Sequence, residues 1–199
     1  MTAWLVVGLG NPGPAYASHR HNAGYLVVDE LAARAGVSFT APKGMRSVQA
    51  TTRIAEHGIG GVGADAERVV LLKGRTFMNE SGGPVNKALA YHQIPLGRLV
   101  VVHDELDLDF GRLRLKFGGG DNGHNGLKSI RQATGSGDFY RVRVGIGRPP
   151  GRQDPAAFVL TPYPASAREE LAVQIGTAAD AVETLLLRGL TEAQNRFNS

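Results

Sequence analysis

His21 is the strongest general-base candidate in the chain, because an unperturbed imidazole titrates at about pH 6.5 and can exchange a proton near neutrality. Asp104 follows the apolar run Leu99–Val102, within His103-Asp104-Glu105-Leu106-Asp107. A carboxylate at the end of a buried strand can fix the tautomer of an imidazole and raise its basicity. Three asparagines stand beside glycines: Asn11 in VVGLGNPG, Asn79 in RTFMNESGG and Asn125 in GGGDNGHNG. Each is an uncharged amide with two donors and an acceptor, suited to hold a peptide backbone or a developing oxyanion. Taken singly, each Asn is also an ordinary turn or cap residue, and His21 an ordinary histidine at a helix N-terminus. The combination weighs more than its members: a base, a carboxylate to orient it, and amides that can hold a backbone or an oxyanion.

Other chemistries fit less well. Gly8-x-Gly10-x-x-Gly13 has the spacing of a dinucleotide fingerprint, which needs its third glycine at a helix start and an acid closing the next strand. Here Pro12 and Pro14 remove two N–H groups from the loop, and the next helix starts only near Asn22. Asp29 and Glu30 then fall inside that helix. What remains is a tight turn presenting Asn11 at the mouth of a cleft. Asn79-Glu80-Ser81-Gly82-Gly83 lacks the first glycine of a nucleophile elbow, so Ser81 reads as a helix cap. His19, His21, His103 and Asp104 show no ordered zinc spacing, and no metal or other cofactor is expected.

The elements that must position these groups follow from periodicity. Ala3–Val7 reads as a buried strand, followed by a helix from Asn22 to near Gly36. Val48–Ala55 and Arg68–Leu72 read as strands, joined by the Gly-rich turn His57–Asp65. Val85–His92 is a helix ended by Pro95, Leu99–His103 a buried strand, and Arg112–Phe117 a shorter one. Gly126–Ala133 is a helix and Tyr140–Ile146 a strand. Beyond Arg148-Pro149-Pro150-Gly151, apolar residues from Leu171 to Leu185 recur at helical spacing up to Arg188. Strands interleaved with helices predict α/β layers in one domain over 1–199.

Composition sets the frame. The chain has 199 residues, 42% hydrophobic and 20% charged, ordinary values for a folded domain. It has no cysteine, and its N-terminus lacks the basic segment and long apolar run of a signal peptide. With no run long enough to span a membrane, a cytoplasmic protein is expected. Net charge is +4 but uneven. Phe110–Arg152 holds nine basic residues and two acids, while the remainder holds 13 basic and 16 acidic. Such clustering fits a polyanion partner, and equally a solvated face.

GLGNPGPAY…RHNAG, TFMNESG, HDELDL…GHNGLKSI and YRVRVGIGRP, in this order and spacing, resemble the signature blocks of the bacterial peptidyl-tRNA hydrolases, from about Trp4 to Asn198. The resemblance implies a single three-layer α/β/α domain with a mixed, mostly parallel central sheet, and a lid around 148–163. It implies hydrolysis of the ester joining a peptide to the terminal ribose of tRNA, with peptidyl-tRNA and tRNA as partners. Neither a metal, a membrane nor an obligate protein partner is implied, and a monomer is expected. His21 becomes the catalytic base, oriented by Asp104. Asn11, Asn79 and Asn125 take the peptide and reacting group, with Tyr16, Phe77 and His124 lining the substrate site. Lys116 and Arg143 fall in a basic groove for tRNA phosphates. The chain departs from the pattern at His19, Gly74, Asp109 and Asp121-Asn122, which bears on loop rigidity and tRNA affinity. Two rival expectations are a non-catalytic RNA-binding module on the same fold and a metal-dependent hydrolase.

Overall fold

Every residue of Ala3–Gly8 (β1) is buried, as expected for a central strand covered on both faces. In the computed structural model, which describes residues 2–198, β1 lies between Glu67–Gly74 (β4) and Leu99–Glu105 (β5) and runs parallel to both. Tyr140–Gly145 (β7) adds parallel to β5. The outer strands are antiparallel to their neighbours: Ser47–Ala55 (β2) on β4, Gly58–Ile59 (β3) on β2, and Leu113–Phe117 (β6) on β7. The sheet order is β3-β2-β4-β1-β5-β7-β6. The sheet is therefore mixed, with a parallel centre of four strands and antiparallel margins.

Alternation along the strands builds two cores. Trp4, Val6, Val69, Leu71, Val100 and Val102 face Ala23–Ala35 (α1), Arg168–Arg188 (α5) and Leu190–Phe197 (α6). Leu5, Val7, Val70, Leu72, Leu99 and Val101 face Gly82–His92 (α2) and Asn125–Thr134 (α3). This is the expected α/β/α layering in a single domain. No helix among the described residues is long and apolar enough to cross a membrane.

Most element limits expected from sequence hold to within three residues, and the following differences bear on the site or the topology. β5 runs to Glu105, two residues past His103, so Asp104 is the next-to-last residue of the strand. α2 begins at Gly82, and Gln93 closes it in the left-handed conformation (φ 54°) before Pro95 is reached. The turn His57–Asp65 contains β3. Two short helices lay outside the periodicity reading: Pro155–Phe158 (α4), capped by Asp154, and α6, separated from α5 by Gly189 at φ 89°.

α1 lies on one face of the sheet and α2 and α3 on the other, so the crevice beyond the C-terminal ends of β1 and β5 is a topological switch point. Open α/β sheets bind ligands at such places.

Candidate active site

A cleft of about 630 Å³ opens at that switch point, lined among others by Asn11, His21, Asn79, Asp104, His124 and Asn125. Gly8 at the end of β1 and Gly24 in α1 let the helix approach the sheet closely. A Cβ on Gly24, at the start of α1, would overlap the Val102 carbonyl oxygen and the Leu9 nitrogen. α1 thus abuts the ends of β1 and β5, and the preceding turn Arg20–Asn22 carries His21 over β5. Gly13 turns the chain at φ 99°.

Asn22 fixes the chain at Asn11. Its Oδ1 accepts from the Asn11 N–H and its Nδ2 donates to the Asn11 carbonyl, both at 2.9 Å. The Asn11 side chain in turn accepts the Met78 N–H through Oδ1 at 2.7 Å. This bond sets the turn Met78–Glu80 beside Asn11 and brings Asn79 to the cleft wall. With Oδ1 engaged, Nδ2 is the Asn11 group left for a ligand. Asn22 was not expected from sequence; its signal is its place within RHN, one residue after the base.

Asp104 is buried at the cleft floor and accepts from two imidazoles. His21 Nδ1 lies 2.8 Å from Oδ2, and His124 Nε2 lies 2.8 Å from Oδ1. His124 Nδ1 accepts the Gly126 and Leu127 N–H groups at 3.1 and 3.4 Å, capping α3. His124 therefore carries its proton on Nε2 and donates it to Asp104. Likewise His21 donates Nδ1–H, which leaves its Nε2 lone pair free of any donor among the described residues. Burial pushes the Asp104 carboxyl up, but the two imidazoles and their N–H donors outweigh it and hold the group well below the usual carboxylate range. The rings of His21 and His124 lie 5.0 Å apart between centroids, tilted by 42°.

Phe77 and Asn125 line the cleft as expected, both exposed. Tyr16 does not; its ring meets Phe77 edge-on at 6.1 Å and reaches the cleft only through it. Lys116 and Arg143 are neighbours beside the cleft and do not line it. Burial lowers the Lys116 ammonium, and Arg143 lowers it further. Arg143 is already paired, with Nη2 and Nε at 2.7 and 3.0 Å from Glu105 Oε1.

The basic segment Phe110–Arg152 is less free than its charge count suggests. Arg141 has no exposure, and its guanidinium donates to the carbonyls of Gly119, Gly120 and Gly137. Burial, with Arg131 nearby, brings it down to about 10. Arg148 pairs with Asp107 at 2.6 Å, and Arg131 meets Asp121 at 3.4 Å. Asp121, the acidic departure that bears on tRNA affinity, is thus engaged by a cation. Its neighbour Asn122 donates to Glu105 at 3.0 Å and Asp107 at 2.6 Å.

In the segment 148–163, Arg148, Asp154, Pro155, Ala156, Val159 and Leu160 line the cleft. Its far end is tied to the histidine turn. The His21 N–H donates to the Val159 carbonyl at 2.8 Å, and Arg20 donates to Thr161 Oγ1 at 2.6 Å and the Pro162 carbonyl at 2.8 Å. Of the departures from the family pattern, the Gly74 carbonyl accepts the Tyr25 hydroxyl, and His19 packs its ring on Tyr16.

Among the described residues, His21, Asp104 and His124 are the one group of three whose donor atoms converge closely enough for a metal ion. Both carboxylate oxygens already accept N–H bonds from the two rings, so a cation there would replace two protons that hold the site together.

A family model described as peptidyl-tRNA hydrolase matches residues 5–199. The peptidyl-tRNA hydrolase of Cutibacterium acnes is 55% identical over 197 residues, covering 99% of this chain and 98% of that one. That of Streptomyces coelicolor is 53% identical over 196 residues, covering 98% and 95%. A crystal structure of peptidyl-tRNA hydrolase from Acinetobacter baumannii has a TM-score of 0.86 at 34% identity, covering 99% of this chain and 95% of that chain.

Proposed function

The chain belongs to the peptidyl-tRNA hydrolase family, and from that premise we propose how its cleft cuts the ester between peptide and tRNA. The reaction is hydrolysis of peptidyl-tRNA. The observation that carries the mechanism is the buried Asp104, which takes Nδ1–H of His21 and leaves Nε2 as an acceptor in the cleft.

His21 Nε2 takes a proton from water as the water oxygen attacks the ester carbonyl carbon. Asp104 stabilises the imidazolium and keeps the ring in place. The carbonyl oxygen gains the negative charge, within reach of the Asn79 amide or a neighbouring backbone N–H, an effect typically worth about 3–4 kcal/mol. The tetrahedral intermediate collapses, the C–O bond to the ribose breaks, and the imidazolium returns its proton to the leaving oxygen. No covalent enzyme intermediate forms. Asn11 through Nδ2, Asn125 and the exposed ring of Phe77 hold the peptide, chiefly by its backbone. The segment 148–163 acts as a lid, hinged where Arg20 ties it down. Lys116 and Arg143 take tRNA phosphates, with Arg143 exchanging Glu105 for phosphate.

Because the Asp104 oxygens are occupied by N–H donors, the chemistry runs without a resident metal ion. Every group named lies on one chain, so a monomer suffices, and its substrate places it in the cytoplasm. The non-catalytic RNA-binding alternative needs no poised base, and the intact His21–Asp104 pair speaks for the enzyme.

The test is release of tRNA from an N-acetyl-aminoacyl-tRNA with chelator present. The native chain should turn over, and His21→Ala should lower kcat by orders of magnitude with tRNA affinity nearly unchanged. Equal turnover in both would remove His21 from the mechanism. Turnover lost to chelator and restored by zinc would support the metal-dependent rival.

A further inference from the structure

A second concavity, of about 350 Å³, lies apart from the cleft and is lined by Ala41, Pro42, Lys43, Gly44, Arg46 and Arg75. Its wall is built, not loose. Met45 is buried in the α2–α3 core, Lys87 Nζ donates to the Gly44 carbonyl at 2.6 Å, and the Arg75 N–H donates to the Arg46 carbonyl at 2.8 Å. Arg46 holds a left-handed backbone at φ 53°, which disfavours a side chain such as arginine. All three cations are exposed. Among the described residues, Lys43 and Arg75 make no ion pair, and Arg46 meets only Glu80, at 3.9 Å. Exposed pairs at that range hold the guanidinium weakly.

The place of this rim in the sheet says what it meets. Arg75 follows β4 and Arg46 precedes β2, while Lys116 and Arg143 lie on β6 and β7. The reaction centre stands between, at the ends of β1 and β5. Arg75 is two residues before Phe77, and Arg46 meets Glu80, next to Asn79, so the rim is joined to the cleft wall through the segment 75–80 although the two concavities share no lining residue. A substrate whose ester sits at His21 with its tRNA toward Lys116 sends its peptide toward β4 and β2. Two to three strand spacings of about 4.8 Å span roughly 10–14 Å, the length of about three to four extended residues.

We propose that Lys43, Arg46 and Arg75 form a subsite for acidic side chains of the peptide, a few residues upstream of the one esterified to tRNA. The enzyme then favours acidic over basic peptides at those positions. Guanidinium forks suit carboxylates, and two such exposed contacts amount to about a three- to tenfold preference. The inference rests on the proposed assignment of His21 and of Lys116 and Arg143 to the two ends of the substrate.

The experiment uses the full chain and peptidyl-tRNAs with one tRNA, one last residue, and upstream Asp-Asp, Ala-Ala or Lys-Lys. The readout is the ratio of kcat/KM for the Asp and Lys peptides, with affinity for deacylated tRNA measured alongside. The native ratio should be about three to ten, should shrink as salt is raised, and should invert in R46E/R75E. The milder R46Q/R75Q should bring it toward one. A native ratio of one, or a ratio unmoved by both variants, overturns the inference. An unmoved ratio with weakened tRNA binding would make the rim an RNA contact instead. No turnover of even the Ala-Ala substrate would overturn the proposed function itself, and this inference with it.

Discussion

Asp104 sets the protonation of two rings at once. Each oxygen takes one N–H, so His21 presents Nε2 to the cleft and His124 is held as a cap on α3. His103 lies behind them, its Nδ1 donating to the Asp104 carbonyl at 2.8 Å and its ring against His124 at 5.1 Å. Its Nε2 is buried with no partner among the described residues. Burial, then His124, pulls the His103 imidazole down to about 3, whereas an unfolded imidazole titrates at about 6.5. Between those values the unfolded chain binds the extra proton, so the stability His103 contributes is full above about pH 6.5 and is lost as pH falls toward 3. His92, also lowered by burial and by Arg68, acts in the same direction. Asp104 adds nothing to this window, because the stability from its depressed carboxyl is lost only below the unfolded value of about 3.9. Urea titrations from pH 7 to 4.5 should show stability falling by up to about 1.4 kcal/mol per pH unit per proton. His103→Gln should flatten that slope; an identical slope would remove His103 as its source.

At the scale of elements, the site depends on how closely α1 approaches the sheet. Gly8 and Gly24 meet where any side chain would overlap a backbone carbonyl. The same approach sets the Asn11–Asn22 clamp and the height of His21 above Asp104. Gly24→Ala must push α1 off β1 and β5, at a cost of about 3 kcal/mol or more, and activity should fall with it. Denaturant melts and turnover measured together check this; a fully stable, fully active variant would mean that the helix contact is slack. The glycines and prolines of GLGNPGP were legible as a turn because their conformational limits are local. The edge of the sheet was not. Asn198 receives the Leu115 N–H at 2.7 Å and donates to its carbonyl at 3.1 Å, covering part of edge strand β6 from the far end of the chain.

Over the whole molecule, charge is distributed differently from the count along the chain. The excess in Phe110–Arg152 is drawn down by acids just before the segment: Glu105 on Arg143, Asp107 on Arg148, and Asp109 near Arg112 at 3.9 Å. Lys116, by contrast, makes no ion pair among the described residues. Lys116→Ala should weaken tRNA binding and reduce the slope of log affinity against log salt by about 0.9. Glu105→Gln should release Arg143 and tighten binding at low salt. Filter binding across a salt series reads both, and an unaltered slope for Lys116→Ala would take that residue out of the tRNA contact.

By itself the sequence determined the longer strands and helices, the turn chemistry around Asn11, and the motif blocks that mark the family. These rest on periodicity, glycine and proline conformations and fixed spacing, all of which act between near neighbours. Only the tertiary structure decided that His21 and Asp104, 83 residues apart, share a hydrogen bond, that His124 occupies the second carboxylate oxygen, and that Asn22 clamps Asn11. It also decided that Arg141 is buried and Arg143 paired. Those outcomes depend on which strands become neighbours in the sheet, and residues on β5 and β7 meet their partners only once the crossovers have placed the strands side by side.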